Sequence, residues 1–198
     1  MPNMRRKEIK RATSETKIEL DLSLEGQGQA HFDTGLPFWE HMWSQWVKHG
    51  GFDLIIKAQG DLQVDEHHLV EDIGLCLGTA FHQSLGDKKG IKRFGSCLLP
   101  MDDALIMVAV DLSGRPYLHF EVPLLQKSRG ANISTEMVEE FWRAVVNEGR
   151  FNLHIKLFHG SNLHHVMEAL FKGTGKAMGE AAGLPGGSSE VPSTKGSL

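Results

Sequence analysis

The strongest restriction on the fold is that the sequence repeats itself. At an offset of 99 residues, Trp43, Val47, Gly50, Phe52, Leu54, Ile56 and Lys57 meet Trp142, Val146, Gly149, Phe151, Leu153, Ile155 and Lys156. At an offset of 97, His67, His68, Glu71, Gly78, Ala80 and Gly86 meet His164, His165, Glu168, Gly175, Ala177 and Gly183. Matches in one order over two successive elements are hard to obtain by chance, so one supersecondary unit is expected twice. Alternating apolar residues predict strands at Lys17–Leu24, Ala30–Phe32 and Phe52–Ile56, and helical spacing runs from Pro37 to Gly50 and from His67 to Leu85. The second half has strands at Leu105–Leu112, Tyr117–Val122 and Phe151–Leu157, with helices at Thr135–Asn147 and His164–Ala182. The order strand, strand, helix, strand, helix, twice, predicts a two-layer α+β fold. Two fused halves, about 5–90 and 91–183, would be related by a pseudo-twofold axis, each a small β-sheet packed on two helices. Leu184–Ser189 is rich in Pro, Gly and Ser and reads as a flexible linker to a tail at 184–198.

Composition removes several classes of function. With 21 Lys and Arg against 25 Asp and Glu, the net charge is −4, too acidic for a general grip on nucleic acid or anionic lipid. The longest apolar stretch, Ala104–Val110, is far short of the ~20 residues that cross a bilayer, so no membrane span is expected. Two cysteines, Cys76 and Cys97, exclude a disulfide scaffold and suit a reducing compartment. The basic segment Met1–Arg11 lacks the apolar core of a secretory signal, and a cytoplasmic location is expected.

Eleven histidines stand out, four of them in two doublets. The motif His-His-x-x-Glu occurs at His67, His68, Glu71 and at His164, His165, Glu168. On a helix, residues four apart share a face, so His67 with Glu71 and His164 with Glu168 can each converge on one cation. Adjacent histidines point about 100° apart, so one doublet can serve two metals. Pseudo-symmetry suggests two sites, each adding the other histidine of the doublet from the counterpart helix. His41 aligns with Glu140 at the offset of 99, making each the natural further ligand of one site. Nitrogen and oxygen ligands without thiolate favour Mn, Fe, Co or Zn. The plainer alternative is that the doublets cap helices or pair with Asp65, Glu66 and Asp72.

At these residues the chain resembles the imidazoleglycerol-phosphate dehydratase family. The likeness runs from Arg11-Ala12-Thr13-Ser14-Glu15-Thr16 to Ser193-Thr194-Lys195-Gly196. It passes through Phe38-Trp39-Glu40-His41-Met42, Gly60-Asp61, Asp65-Glu66-His67-His68, Arg93-Phe94-Gly95, Pro100-Met101-Asp102-Asp103, Asp111-Leu112-Ser113-Gly114-Arg115-Pro116 and Asn162-Leu163-His164-His165. The family usually has Asp where Glu40 and Glu66 stand, and many members have a histidine ligand where this chain has Glu140. The resemblance implies a fold of the ribosomal protein S5 domain 2-like kind and a homo-oligomeric shell of 24 subunits with cubic symmetry. It also implies two Mn2+ ions per active site, held by His41, His67, His68, Glu71, Glu140, His164, His165 and Glu168.

The implied reaction of histidine biosynthesis removes water from imidazoleglycerol phosphate to give imidazole acetol phosphate. The departing proton sits on a carbon with no neighbouring carbonyl, so the ring must supply electrons, and metals on its nitrogens would favour the deprotonated form that expels hydroxide. The resemblance gives Glu15 as general acid and base, with Glu71 a second candidate. It gives Gln45, His49, Arg93, Arg115, Lys172, Ser193, Thr194 and Lys195 as substrate-binding residues, the tail closing over the phosphate. Trp39, Trp43, Trp46 and Trp142 are expected to serve packing or subunit contacts, and Cys76 to be a small buried hydrophobe. Two other functions fit a dimetal chain with a phosphate site, a phosphoester hydrolase and a metal-dependent storage or assembly protein.

Overall fold

A computed structural model describes residues 5–123, 136–186 and 190–198. Met1 to Met4 of the basic N-terminus, Thr135 at the expected helix start, and Gly187, Ser188 and Ser189 of the linker lie outside the described residues. The first half contains β1 (Arg6–Ala12), β2 (Thr16–Ser23), β3 (Ala30–Asp33), α1 (Pro37–Gly50), β4 (Asp53–Gly60) and α2 (His67–Leu85). The second contains β5 (Phe94–Met101), β6 (Ala104–Asp111), β7 (Tyr117–Glu121), α3 (Glu136–Gly149), β8 (Asn152–His159) and α4 (Leu163–Ala182).

Each half forms a four-stranded sheet, in the orders β1-β2-β4-β3 and β5-β6-β8-β7. All neighbours are antiparallel except β3 with β4 and β7 with β8, where α1 and α3 make the crossovers that parallel strands require. The duplication is therefore realised strand for strand. It also carries one strand per half more than expected, because the edge strands β1 and β5 give no periodic signal. In β1 only Ile9 is half-buried, and β5 mixes Gly95 and Pro100 with apolar residues on both faces. The inner strands follow their alternation: β2 buries Ile18, Leu20 and Leu22, and β6 buries Ala104, Ile106, Val108 and Val110.

The helices start and stop as their chemistry dictates. Pro37 opens α1, and Gly51, left-handed at φ 70°, closes it by donating its N–H to the Val47 carbonyl. The Asn162 side chain caps α4 by accepting the N–H groups of His164 and His165 at 2.9 and 3.4 Å. Each sheet packs against helices of its own half, and the halves are joined by helix pairs, α1 with α4 and α2 with α3. Both pairs run parallel and touch backbone to backbone. A Cβ on Gly175 of α4 would lie 2.4 Å from the Trp46 carbonyl oxygen, and one on Gly78 of α2 would lie 2.4 Å from that of Val145. These contacts are equivalent under the repeat, since 78 maps to 175 and 46 to 145.

All four tryptophans are buried around these seams, as are Phe141 and Phe171, so they are core residues. Cys76 is buried too, and burial pushes its thiol up to about 12. No helix among the described residues is long and apolar enough to cross a membrane. The outer faces of the two sheets differ. The first exposes Lys17, Glu19 and Lys57, whereas the second exposes Phe94, Leu98, Tyr117 and Phe158.

Candidate metal and phosphate sites

Helices α1 and α2 follow strands that run parallel, so both start at the same end of the first sheet, and the same holds for α3 and α4. The parallel helix pairs then bring all four N-termini to one end of the molecule. That end carries the histidines. His41 in the second turn of α1 meets His164 and Glu168 in the first turns of α4: His41 Nε2 is 3.0 Å and His164 Nε2 2.9 Å from Glu168 Oε1. One ligand atom from each lies within 4.8 Å of the others, a compact nitrogen and oxygen donor set that fits a divalent cation. The other Glu168 oxygen accepts from Lys172 Nζ at 2.5 Å. Burial pushes the Glu168 carboxyl up, but the hydrogen bonds from Lys172, His41 and His164 outweigh it and hold it at about 2.

The equivalent position between α2 and α3 is looser. His67 Nε2 is 3.7 Å from Glu71 Oε2, while the Glu140 carboxylate lies 3.7 Å from Arg143 Nε. The second histidine of each doublet points elsewhere. His68 Nδ1 is 3.0 Å from Asp61 Oδ2, and His165 Nδ1 is 2.7 Å from Asp103 Oδ1. An Nδ1–H donated to a carboxylate leaves Nε2 as the ligand atom and fixes the ring, a common support for metal-binding histidine. The bond to Asp61 holds the His68 ring above its ordinary pKa. Asp103 is itself held far below the usual carboxylate range by the backbone N–H groups of Ser161 and Asn162, then by His165 and the Ser161 hydroxyl. Of the plainer pairings, the structure contains Asp65, which accepts the His67 N–H at 2.8 Å. Asp72 instead pairs with Arg11 at 2.9 Å and Thr16 Oγ1 at 2.5 Å, pinning the β1–β2 hairpin to α2. That hairpin presents Glu15, exposed, with Oε1 3.8 Å from His68 Nε2.

The expected phosphate ligands are divided. Lys172 adjoins Glu168, and half-buried Gln45 and exposed His49 line α1 beside α4. Partial desolvation, then Lys172 and Lys176, hold the His49 ring below its ordinary pKa. Arg93 lies at the far end of α4, where its N–H donates to the Ala181 carbonyl at 2.9 Å. From His164 to Ala181 the helix spans about 25 Å at 1.5 Å per residue. Arg93 also reaches Asp111 at 2.8 Å and the Pro192 carbonyl at 2.9 Å, so the tail docks there. Ser193 is half-buried, Thr194 and Lys195 are exposed, and Arg115 rests on the Ser113 carbonyl at 3.4 Å.

The family model for imidazoleglycerol-phosphate dehydratase matches residues 34–178. The chain is 54% identical over 193 residues to the imidazoleglycerol-phosphate dehydratase of Desulforudis audaxviator, covering 98% of this chain and 97% of that protein. It is 50% identical over 195 residues to that of Caldanaerobacter subterraneus, covering 98% and 100%. This chain belongs to the imidazoleglycerol-phosphate dehydratase family. Two solved imidazoleglycerol-phosphate dehydratases share the fold. The Staphylococcus aureus enzyme has TM-score 0.77 at 38% identity, covering 89% of this chain and 97% of its own. The Pyrococcus furiosus enzyme, in complex with (S)-C348, has TM-score 0.81 at 35% identity, covering 96% and 100%. Within this imidazoleglycerol-phosphate dehydratase fold, sequence reasoning overlooked Asp61 and Asp103 as partners of the doublets. Their signal was available, since each lies in a stretch that carries the family resemblance.

Proposed function

We propose that this chain dehydrates imidazoleglycerol phosphate to imidazole acetol phosphate in histidine biosynthesis, as a cytoplasmic manganese enzyme with two Mn2+ ions per active site. The observation that carries this reading is the convergence of His41, His164 and Glu168 from two helices of different halves, in a chain of this family. His41, His164 and Glu168 would hold one cation, and His67, Glu71 and Glu140 the other, with His68 and His165 completing the sets. Bound manganese would supply positive charge beside the imidazole nitrogens, which lowers the pKa of the ring. Glu15 carries the proton between the glycerol carbon and the departing hydroxyl, because it is exposed at the tip of its hairpin with Oε1 3.8 Å from His68 Nε2, beside the metal ligands. Glu71 is the second candidate for that role. Arg93, Arg115, Lys172, Gln45, His49 and the tail residues Ser193, Thr194 and Lys195 bind the phosphate.

The active form is a homo-oligomer, a 24-subunit cubic shell. Two observations favour self-association. Arg93 stands about 25 Å from the histidine cluster along α4, and Arg115 follows closely on Leu112, whose N–H donates to the Arg93 carbonyl, so one small substrate does not span from the cluster to these arginines within one chain. The apolar outer face of the second sheet offers a contact area that the charged first sheet lacks. The decisive experiment is turnover of imidazoleglycerol phosphate by protein stripped of metal and reloaded with manganese. Activity that returns only on reloading is expected. No activity in a fully loaded, folded protein would overturn the reading.

A further inference from the structure

Lys88 is the most deeply buried charged side chain among the described residues, at 4% exposure. It follows α2 in a left-handed backbone conformation, φ 58°. Non-glycine residues are uncommon there, since a Cβ costs of order 1 kcal/mol. Its Nζ donates to the Leu112 carbonyl at 3.1 Å, and the Leu112 N–H donates to the Arg93 carbonyl at 3.1 Å. Leu112 leads directly into the turn Ser113-Gly114-Arg115, in which Ser113 is 1% exposed and Gly114 is left-handed at φ 79°. The ammonium thus holds Leu112, which is itself bonded to the Arg93 carbonyl and leads into the turn that carries Arg115; these are the two arginines read above as phosphate ligands.

This is a poor place for a cation on stability grounds alone. A buried ammonium satisfied by a neutral carbonyl pays most of its desolvation cost. Burial pushes the Lys88 ammonium down from its ordinary pKa; Asp111 favours the charge, while Arg93, Arg115 and Arg150 oppose it. Arg93 and Arg150 are left-handed too, at φ 72° and 51°, and Arg150 occupies the helix-ending position that Gly51 fills in the first half. Three of the four left-handed non-glycine residues among those described are therefore cations acting on one another. Strain and like charge gathered at one spot are what an anion-binding end requires and what a structural end avoids.

We propose that Lys88 is a positioning residue for the substrate phosphate, fixing the turn that carries Arg115 against Arg93 through the Leu112 carbonyl. The inference rests on Arg93 and Arg115 binding phosphate. The test uses the manganese-loaded, full-length protein and compares Lys88→Met, which removes the donor, with Lys88→Gln, which keeps an N–H for Leu112. Lys88→Met is expected to raise the KM for imidazoleglycerol phosphate about tenfold and to change kcat less than about threefold, a loss of binding rather than of chemistry. Inhibition by inorganic phosphate should weaken in parallel, inhibition by imidazole should not change, and Lys88→Gln should recover most of the loss. If Lys88→Met fails to fold, Lys88→Ala replaces it as the donor-free variant, with the same rise in KM and the same weakening of phosphate inhibition expected and an unchanged KM overturning the inference. If Arg93→Ala and Arg115→Ala raise KM but neither Lys88 variant does, the inference falls and the phosphate reading stands. An equal loss in Lys88→Gln and Lys88→Met would also overturn it. If the arginine variants leave KM unchanged, the phosphate reading itself falls.

Discussion

Replacing Gly175 by alanine should damage the histidine cluster without touching a histidine. The new methyl would lie 2.4 Å from the Trp46 carbonyl oxygen and 3.1 Å from the Gly50 nitrogen, where ordinary contacts begin at 3.4 Å. Both neighbours are backbone, so the relief is for α4 to move away from α1 by about 1 Å. Overpacking of this kind costs about 1–3 kcal/mol. Alanine returns about 1 kcal/mol of helix propensity over glycine, leaving a net loss of up to about 2 kcal/mol. For a domain of this size that lowers Tm by up to about 8 °C. The same displacement stretches the 3.0 Å separation of His41 Nε2 and Glu168 Oε1 beyond hydrogen-bond reach. Calorimetric titration with manganese should therefore show a loss of about tenfold in affinity, comparable to losing a supporting contact of a ligand. Gly78→Ala is the counterpart, because it forces apart α2 and α3 at the equivalent contact; it should cost similar stability and disturb the His67, Glu71 and Glu140 position while sparing His41 and Glu168. A Gly175→Ala protein as stable as the parent, with unchanged manganese affinity, would refute the argument that the seam sets the ligand spacing.

Glu15→Gln should lower turnover by about 100-fold or more with metal content unchanged, measured by steady-state kinetics beside elemental analysis. Deleting the residues after Glu190 should raise KM sharply and leave thermal unfolding and metal content nearly intact, since the tail touches Arg93 through Pro192. In metal-free protein, Glu168 has a folded pKa of about 2 against an ordinary 4.5, so its stabilisation is full above about pH 4.5 and disappears as pH falls to 2. Tm against pH should therefore separate the parent from Glu168→Gln near neutrality and bring the two together near pH 2; a constant gap would contradict it.

Much of this fold can be read from the sequence because the apolar pattern was duplicated along with the backbone. The helix over His67–Leu85 and its glycine stop are visible in periodicity alone. Edge strands escape such reading, since β1 has little to bury and β5 is apolar on its exposed face too. The motif spacing identifies Glu168 as facing His164, but only tertiary structure brings His41 to them from another half. Separation of Arg93 and Arg115 from the histidines is equally invisible in sequence, because it follows from the common direction of four helices.

The glycine seams also fix a phase. Glu71 precedes Gly78, and Glu168 precedes Gly175, by the same seven residues. Seven residues are within about 20° of two full turns, so carboxylate and glycine share one meridian of the helix. Inserting a single residue between them would swing the carboxylate about 100° off that meridian while the seam stayed locked. Length changes in this architecture are thus confined to the connections at either pole, and the helices between them act as a ruler that evolution can decorate but not re-mark.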